Sequence, residues 1–244
     1  MTKKKLDSIH YFDKMDPIPR IFERILVWGL LGFIIFFSIG VPSYNPVYAG
    51  DNESTTTILF FGDSITAGYG LNADQAFPAL IADRADSLGY DIETVNAGVS
   101  GETSAGGLRR VDWILQRPFD VFVLELGGND ALRGIDPEHT RENLHQIILK
   151  VSEERPETQI VLAGMEAPPN MGQEYSQSFR NIYPYLAERH DVAFMPFILD
   201  GVAGEPELNL PDGIHPTAEG HRIIADNLWQ VLEPLLKEDS EYRP

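Results

Sequence analysis

Cysteine is absent from the 244 residues, which excludes a disulfide scaffold, a thiolate metal site, a cysteine nucleophile and a lipidated cysteine anchor. Lysine is almost as scarce: after residue 50 only Lys150 and Lys237 remain. With 37 acidic against 19 basic residues the net charge is −18, and so acidic a body repels phosphate backbones, which makes nucleic acid a poor partner. The acidic, lysine-poor composition fits a saline habitat and an ordinary secreted acidic protein equally. Internal repeats and low-complexity tracts are lacking too, and no histidine pair has zinc-motif spacing, so neither metal nor cofactor is expected. What is present is a 43% hydrophobic chain, enough for one sizeable domain and an appendage.

Long uncharged apolar runs are also rare. The conspicuous one spans residues 25–41, is closed by Pro42 and follows Lys3, Lys4, Lys5, Lys14, Arg20 and Arg24. It is long for a signal-peptide core and short for a spanning helix. Val47-Tyr48-Ala49 supplies a small-residue cleavage site. Residues 1–49 are therefore expected to be a signal peptide or membrane anchor. Cleavage near Ala49 gives a secreted or periplasmic protein, whereas a retained run contacts the membrane with the folded domain outside, because the basic residues all precede it. Residues 50–57 read as a linker, 58–237 as the folded domain and 238–244 as a tail.

Within the domain, Ile58-Leu59-Phe60-Phe61 ends abruptly at Gly62-Asp63-Ser64, the pattern of a buried parallel strand where it leaves the sheet. Helical spacing predicts a helix over 75–88 stopped by Gly89, then a strand at 91–95. Leu108, Val111 and Leu115 mark a helix that Pro118 ends, before a strand at 120–126. Asp136-Pro137-Glu138 combines a capping side chain, a first-turn proline and an early acid, a strong helix start. A strand at 159–163, a helix over 173–189 that must accommodate Pro184, a strand at 192–195 and a helix from about Thr217 burying Ile224, Leu228, Val231 and Leu235 complete the order. Strands alternating with helices imply right-handed crossovers and a parallel sheet of about five strands covered on both faces.

Four polar clusters fall just after strands or before the last helix: Gly62-Asp63-Ser64, Ser100-Gly101-Glu102-Thr103, Gly127-Gly128-Asn129-Asp130 and Asp212-Gly213-Ile214-His215. Ligands of open parallel sheets collect outside the carboxyl ends of the strands, so these clusters should meet on one edge. Each alone reads as a turn; their convergence makes Ser64 a candidate nucleophile. A serine needs a base to take its proton, and His215, with an acid three residues upstream, is the best placed of the histidines. Asp212 can orient that imidazole, and the Ser64 amide, the Gly101 amide and the Asn129 side chain can hold an oxyanion.

These four blocks, in this order, resemble the SGNH hydrolases, or GDSL esterases and lipases, and more narrowly their bacterial thioesterase I, lysophospholipase and arylesterase branch. The resemblance implies a flavodoxin-like three-layer α/β/α fold and metal-free hydrolysis of acyl esters or thioesters through an acyl-enzyme, with a small-molecule ester or lipid as substrate. Gly62-Asp63-Ser64-Ile65-Thr66 lacks the closing glycine of the G-x-S-x-G elbow. Leu132, Ile135, Met165, Pro168 and Met171 lie on loops expected to face the same edge and to line an acyl pocket. Two other readings are a carbohydrate O-acetylesterase of the cell envelope and a non-catalytic binding module whose Gly62 loop holds a phosphate. The last leaves Asp212 with His215 unexplained.

Overall fold

The computed structural model describes residues 55–242, and side chains as far as Lys237. The expected apolar run at 25–41, the cleavage site near Ala49 and most of the linker lie outside the described residues.

The chain opens with β1 (Thr56–Gly62), a run of β-branched and aromatic residues that suits a pleated strand and is fully buried from Ile58 onward. It starts slightly inside the expected linker. Thr56 pairs with Ile92 and Thr57 with Glu93, so these threonines already have ladder partners, and the Thr57 amide donates to Asp120 Oδ2 at 2.7 Å. Then follow α1 (Ser64–Ala67), α2 (Phe77–Leu88), β2 (Ile92–Asn96), α3 (Ser104–Ile114), β3 (Val121–Glu125), α4 (Gly128–Leu132) and α5 (Pro137–Glu154). The remainder is β4 (Gln159–Ala163), α6 (Gln173–Arg180), α7 (Ile182–His190), β5 (Ala193–Met195) and α8 (Ala218–Tyr242).

All five strands are parallel, in the order β2-β1-β3-β4-β5. This is the flavodoxin-like order, and the direction of winding reverses between β1 and β3. Helices α2 and α8 pack together, and α3, α5 and α7 form a second packed row. Phe60, Phe61, Phe122 and Leu124 are completely buried in the sheet between the helical layers, each contributing roughly 1.5–3 kcal/mol of apolar burial. The topology therefore fixes where the loops after β1 and β3 emerge: side by side, at the switch point.

Three sequence expectations change. The single helix over 173–189 is two, broken at Asn181, because Pro184 has no N–H to give the Arg180 carbonyl four residues back and its ring clashes there. Helix α8 continues past Lys237 to Tyr242, so most of the expected tail is helical. Its fully buried face runs through Ile224, Leu228, Leu232 and Leu236, while Val231 and Leu235 sit at its margin. His221, on the same helix, is buried and accepts the Phe77 amide through Nδ1 at 3.1 Å, capping α2 from a distance. Burial pushes its imidazole down to about 4, so it stays neutral and free to accept.

Candidate active site

Ser64 is the first residue of α1, directly after the tip of β1. Asp63 caps that helix, its Oδ1 accepting the Ile65 amide at 3.0 Å. The local rule is simple: a short side-chain acceptor at the cap satisfies an otherwise unpaired helical N–H. His215 arrives from far along the chain, on an irregular loop before α8. Its Nε2 accepts the Ser64 hydroxyl at 3.0 Å, and its Nδ1–H donates to Asp212 Oδ2 at 2.7 Å. Asp212 Oδ1 also accepts the backbone amides of Ile214 at 2.9 Å and His215 at 3.0 Å. Those bonds, the His215 amide first, hold the carboxyl down to about 2, so it remains a carboxylate beside the ring.

Gly101 and Asn129 reach the same place from the other sheet loops. Both line one cleft with Ser64 and His215. Gly101 has φ of +79°, a backbone conformation for which glycine is best suited, and its carbonyl accepts Arg133 Nη2 at 2.8 Å, which ties the 101 loop to the end of α4. Asn129 donates one amide hydrogen to Asp63 Oδ2 at 2.9 Å, leaving its second for the cleft. Asp130, the other polar residue of that block, is fully buried and accepts from Ser104 and Thr140. It braces α3 and α5 and does not line the cleft.

Under Ser64 lies a feature that sequence reasoning missed. Glu125, at the end of β3, is 1% exposed. Its Oε2 accepts the Thr66 hydroxyl at 2.7 Å and the Asp63 amide at 3.2 Å, while Oε1 has no partner among the described residues. Burial first, then the neighbouring Asp63 charge, raises its carboxyl well above the ordinary range. Burial likewise pushes Asp63 up to about 6 against the opposing bonds from Ile65 and Asn129. A strand reading Val-Phe-Val-Leu-Glu carried the signal: an acid closing a wholly buried run.

A carboxyl whose pKa is raised by folding stabilises fully below its unfolded value, and that stability is lost as pH rises through the folded value. Glu125→Gln removes this loss. The variant is expected to gain more thermal stability over wild type at pH 8 than at pH 5; an equal change at both would mean Glu125 is not held as the neutral acid.

The cleft encloses about 930 Å³. Leu132, Met165 and Pro168 line it, and so do Phe197, Leu199 and Ile214, which the sequence did not single out. Ile135 and Met171 do not belong to its lining. Gly134, at φ of +62°, turns the chain toward the cap of α5, and the Ile135 carbonyl is taken by Tyr175 Oη at 2.7 Å. Met171 lies in the short turn before α6 and faces a neighbouring groove with Gly134. Among the described residues, no group of three or more His, Asp or Glu side chains is placed to hold a metal ion.

The chain is 41% identical over 182 residues to an esterase named TesA from Pseudomonas aeruginosa, covering 74% of this chain and 89% of the relative. It is 40% identical to the Escherichia coli protein named thioesterase 1/protease 1/lysophospholipase L1, covering 75% of this chain and 86% of that one. The crystal structure of TesA superposes with a TM-score of 0.71 at 39% identity, covering 74% of this chain and 99% of that chain. That of a psychrotrophic esterase EstA from Pseudoalteromonas, inhibited by monoethylphosphonate, gives 0.70 at 32% identity, with coverage of 75% and 99%. The description GDSL-like Lipase/Acylhydrolase family matches residues 60–223, and with relatives of this identity and coverage the chain belongs to that family.

Proposed function

We propose that the protein is a serine hydrolase that cleaves acyl esters or thioesters through an acyl-enzyme, with Ser64 as nucleophile, His215 as general base and Asp212 as the group that orients it. The observation that carries this reading is the continuous relay from Ser64 Oγ through His215 to Asp212 at the wall of an open cleft.

In this mechanism Ser64 Oγ bonds to the carbonyl carbon of the substrate while its proton passes to His215 Nε2. The carbonyl electrons move onto oxygen, and the Ser64 amide, the Gly101 amide and the free hydrogen of Asn129 stabilise the resulting oxyanion. Collapse breaks the bond to the leaving alcohol or thiol, which takes the proton back from His215. Water then attacks the acyl-enzyme, gives its proton to His215, and the second collapse returns that proton to Ser64 and frees the acid. Asp212 stays ionised throughout and never takes the proton.

The relatives named esterase and thioesterase support hydrolysis of acyl compounds, and the apolar side chains along the cleft support an acyl chain longer than acetyl. Each buried methylene contributes about 0.8 kcal/mol, roughly fourfold in binding. A nitrophenyl ester series is therefore expected to show kcat/KM rising at least about tenfold from acetyl to octanoyl. Strict preference for acetyl would point instead to an envelope O-acetylesterase.

A further inference from the structure

We propose that Tyr69 is a positioning residue for His215, its ring packed on the imidazole so that the Nε2 edge stays toward Ser64 and the positive charge gained during attack is stabilised. The inference rests on the reading of Ser64 and His215 as the reacting pair, and extends it to a residue outside the four blocks.

The imidazole needs such a partner. His215 lies on an irregular loop held by backbone bonds, among them the Leu210 amide to the His215 carbonyl at 2.7 Å and the Gly213 amide to the Leu210 carbonyl at 2.8 Å, and by the Asp212 side chain. Ser64 and Asp212 hold the two nitrogens, which are both on the ring edge. Neither bond restrains the face. Tyr69 does: its ring centroid is 4.3 Å from that of His215, with the planes tilted by 34°.

Tyr69 is itself tied to the nucleophile. Its amide donates to the Ser64 carbonyl at 3.0 Å, and Gly68, at φ of +71°, turns the chain out of α1, so one short backbone turn joins Tyr69 to the serine. The next residue brings the two loops together. Gly70 has φ of +79°, and a Cβ placed there would come within 2.8 Å of Leu210 Cδ1, on the loop that carries His215. The two loops therefore approach closely at this point, with the end of the Leu210 side chain against the Gly70 backbone.

Packing alone does not account for an aromatic ring at this site. Tyr69 is 50% exposed, and its hydroxyl makes no hydrogen bond among the described residues, so the ring face is what it offers. The charged groups facing His215 are Asp212, in contact, and Asp63, buried beneath Ser64. Tyr69 adds a neutral π-face, which favours an imidazolium over a neutral ring.

Turnover of a nitrophenyl ester by Tyr69→Leu and Tyr69→Phe, beside wild type and Ser64→Ala, tests the assignment. Tyr69→Leu is expected to lower kcat roughly five- to thirtyfold with KM nearly unchanged, and to move the acid limb of the pH profile to lower pH by up to about one unit. Tyr69→Phe keeps the face and is expected to stay within about threefold. The proposal fails if Phe loses as much as Leu, or if Leu raises KM while kcat and the acid limb stay put, which is the signature of a substrate wall. Titrating the His215 ring by NMR in the Ser64→Ala background, with and without Tyr69→Leu, reads the same effect without activity: a lower midpoint supports the role and an unmoved one overturns it. Undiminished turnover in Ser64→Ala would instead defeat the reading of the reacting pair, a distinct result.

Discussion

Replacing Ser64 with alanine is expected to lower kcat by roughly 10⁴ to 10⁶-fold while leaving the fold intact. The size follows from what is removed and what is kept. The variant loses the atom that forms the acyl-enzyme and the proton that His215 accepts at 3.0 Å. It keeps the oxyanion donors and the cleft, which sustain only a residual rate. The structural change is slight. Ser64 is buried at 7% exposure, the Asp63 cap is a bond to the Ile65 amide, and alanine is a good helix former. Thermal unfolding should therefore move little. Ser100 and Ser176 also line the cleft, but neither is bonded to a histidine, so neither can replace the lost hydroxyl. Steady-state kinetics at substrate saturation, with the thermal midpoint measured on the same preparation, check both halves of the expectation.

Asp212→Asn is expected to cost roughly 10³ to 10⁴ in kcat, with a much smaller change in KM. The carboxylate accepts from three donors at once, the Nδ1–H at 2.7 Å and two backbone amides through its other oxygen. An amide of the same shape has one acceptor oxygen. If that oxygen keeps the backbone bonds, the NH₂ faces Nδ1 and forces the tautomer in which Nε2 carries the hydrogen and cannot accept from Ser64. If it keeps Nδ1, the NH₂ is turned against two amides and the turn loses its cap. The first outcome removes the base, and the second loosens the turn that presents it to Ser64. Since Asp212 is held down to about 2, its own titration does not limit activity at any ordinary pH. The Asp212 side chain is 39% exposed, and water can partly take the place of its charge, so the loss should fall short of that for Ser64→Ala. A loss under tenfold would leave Asp212 as the cap of its turn and nothing more.

The meeting of Ser64, Asp212 and His215 could be expected from the sequence because each sits in a small polar cluster beside an apolar run, and a parallel sheet brings such ends together. Spacing along the chain was no guide: Ser64 and His215 meet across nearly the whole domain, through a topology that only the strand order reveals. The elements themselves could be read wherever periodicity decided them, as in β4 at Gln159–Ala163 and the Asp136 cap of α5.

Backbone direction and pair contacts could not be read in the same way. Ile135 and Met171 carry the right hydrophobicity, but neither lines the cleft, and the turn after Pro168 places Met171 in a neighbouring groove. Pro184 announced a disturbance without saying that the helix would divide at Asn181. Tyr69 is, in the sequence, an aromatic between two glycines, and its meaning depends on a ring 4.3 Å away that comes from the other end of the domain. Glu125 ends a strand like many acids do; its burial follows from the loop of Asp63 and Thr66 closing over it.

Covalent labelling is the most direct test of the central claim. A fluorophosphonate probe offered to wild type, Ser64→Ala and His215→Ala, followed by mass spectrometry of the digested protein, should place a single adduct on the peptide containing Ser64 in wild type. The adduct should be absent in Ser64→Ala and form much more slowly in His215→Ala. An adduct on Ser100, Ser176 or any other residue, or labelling of wild type that does not depend on His215, would contradict the account.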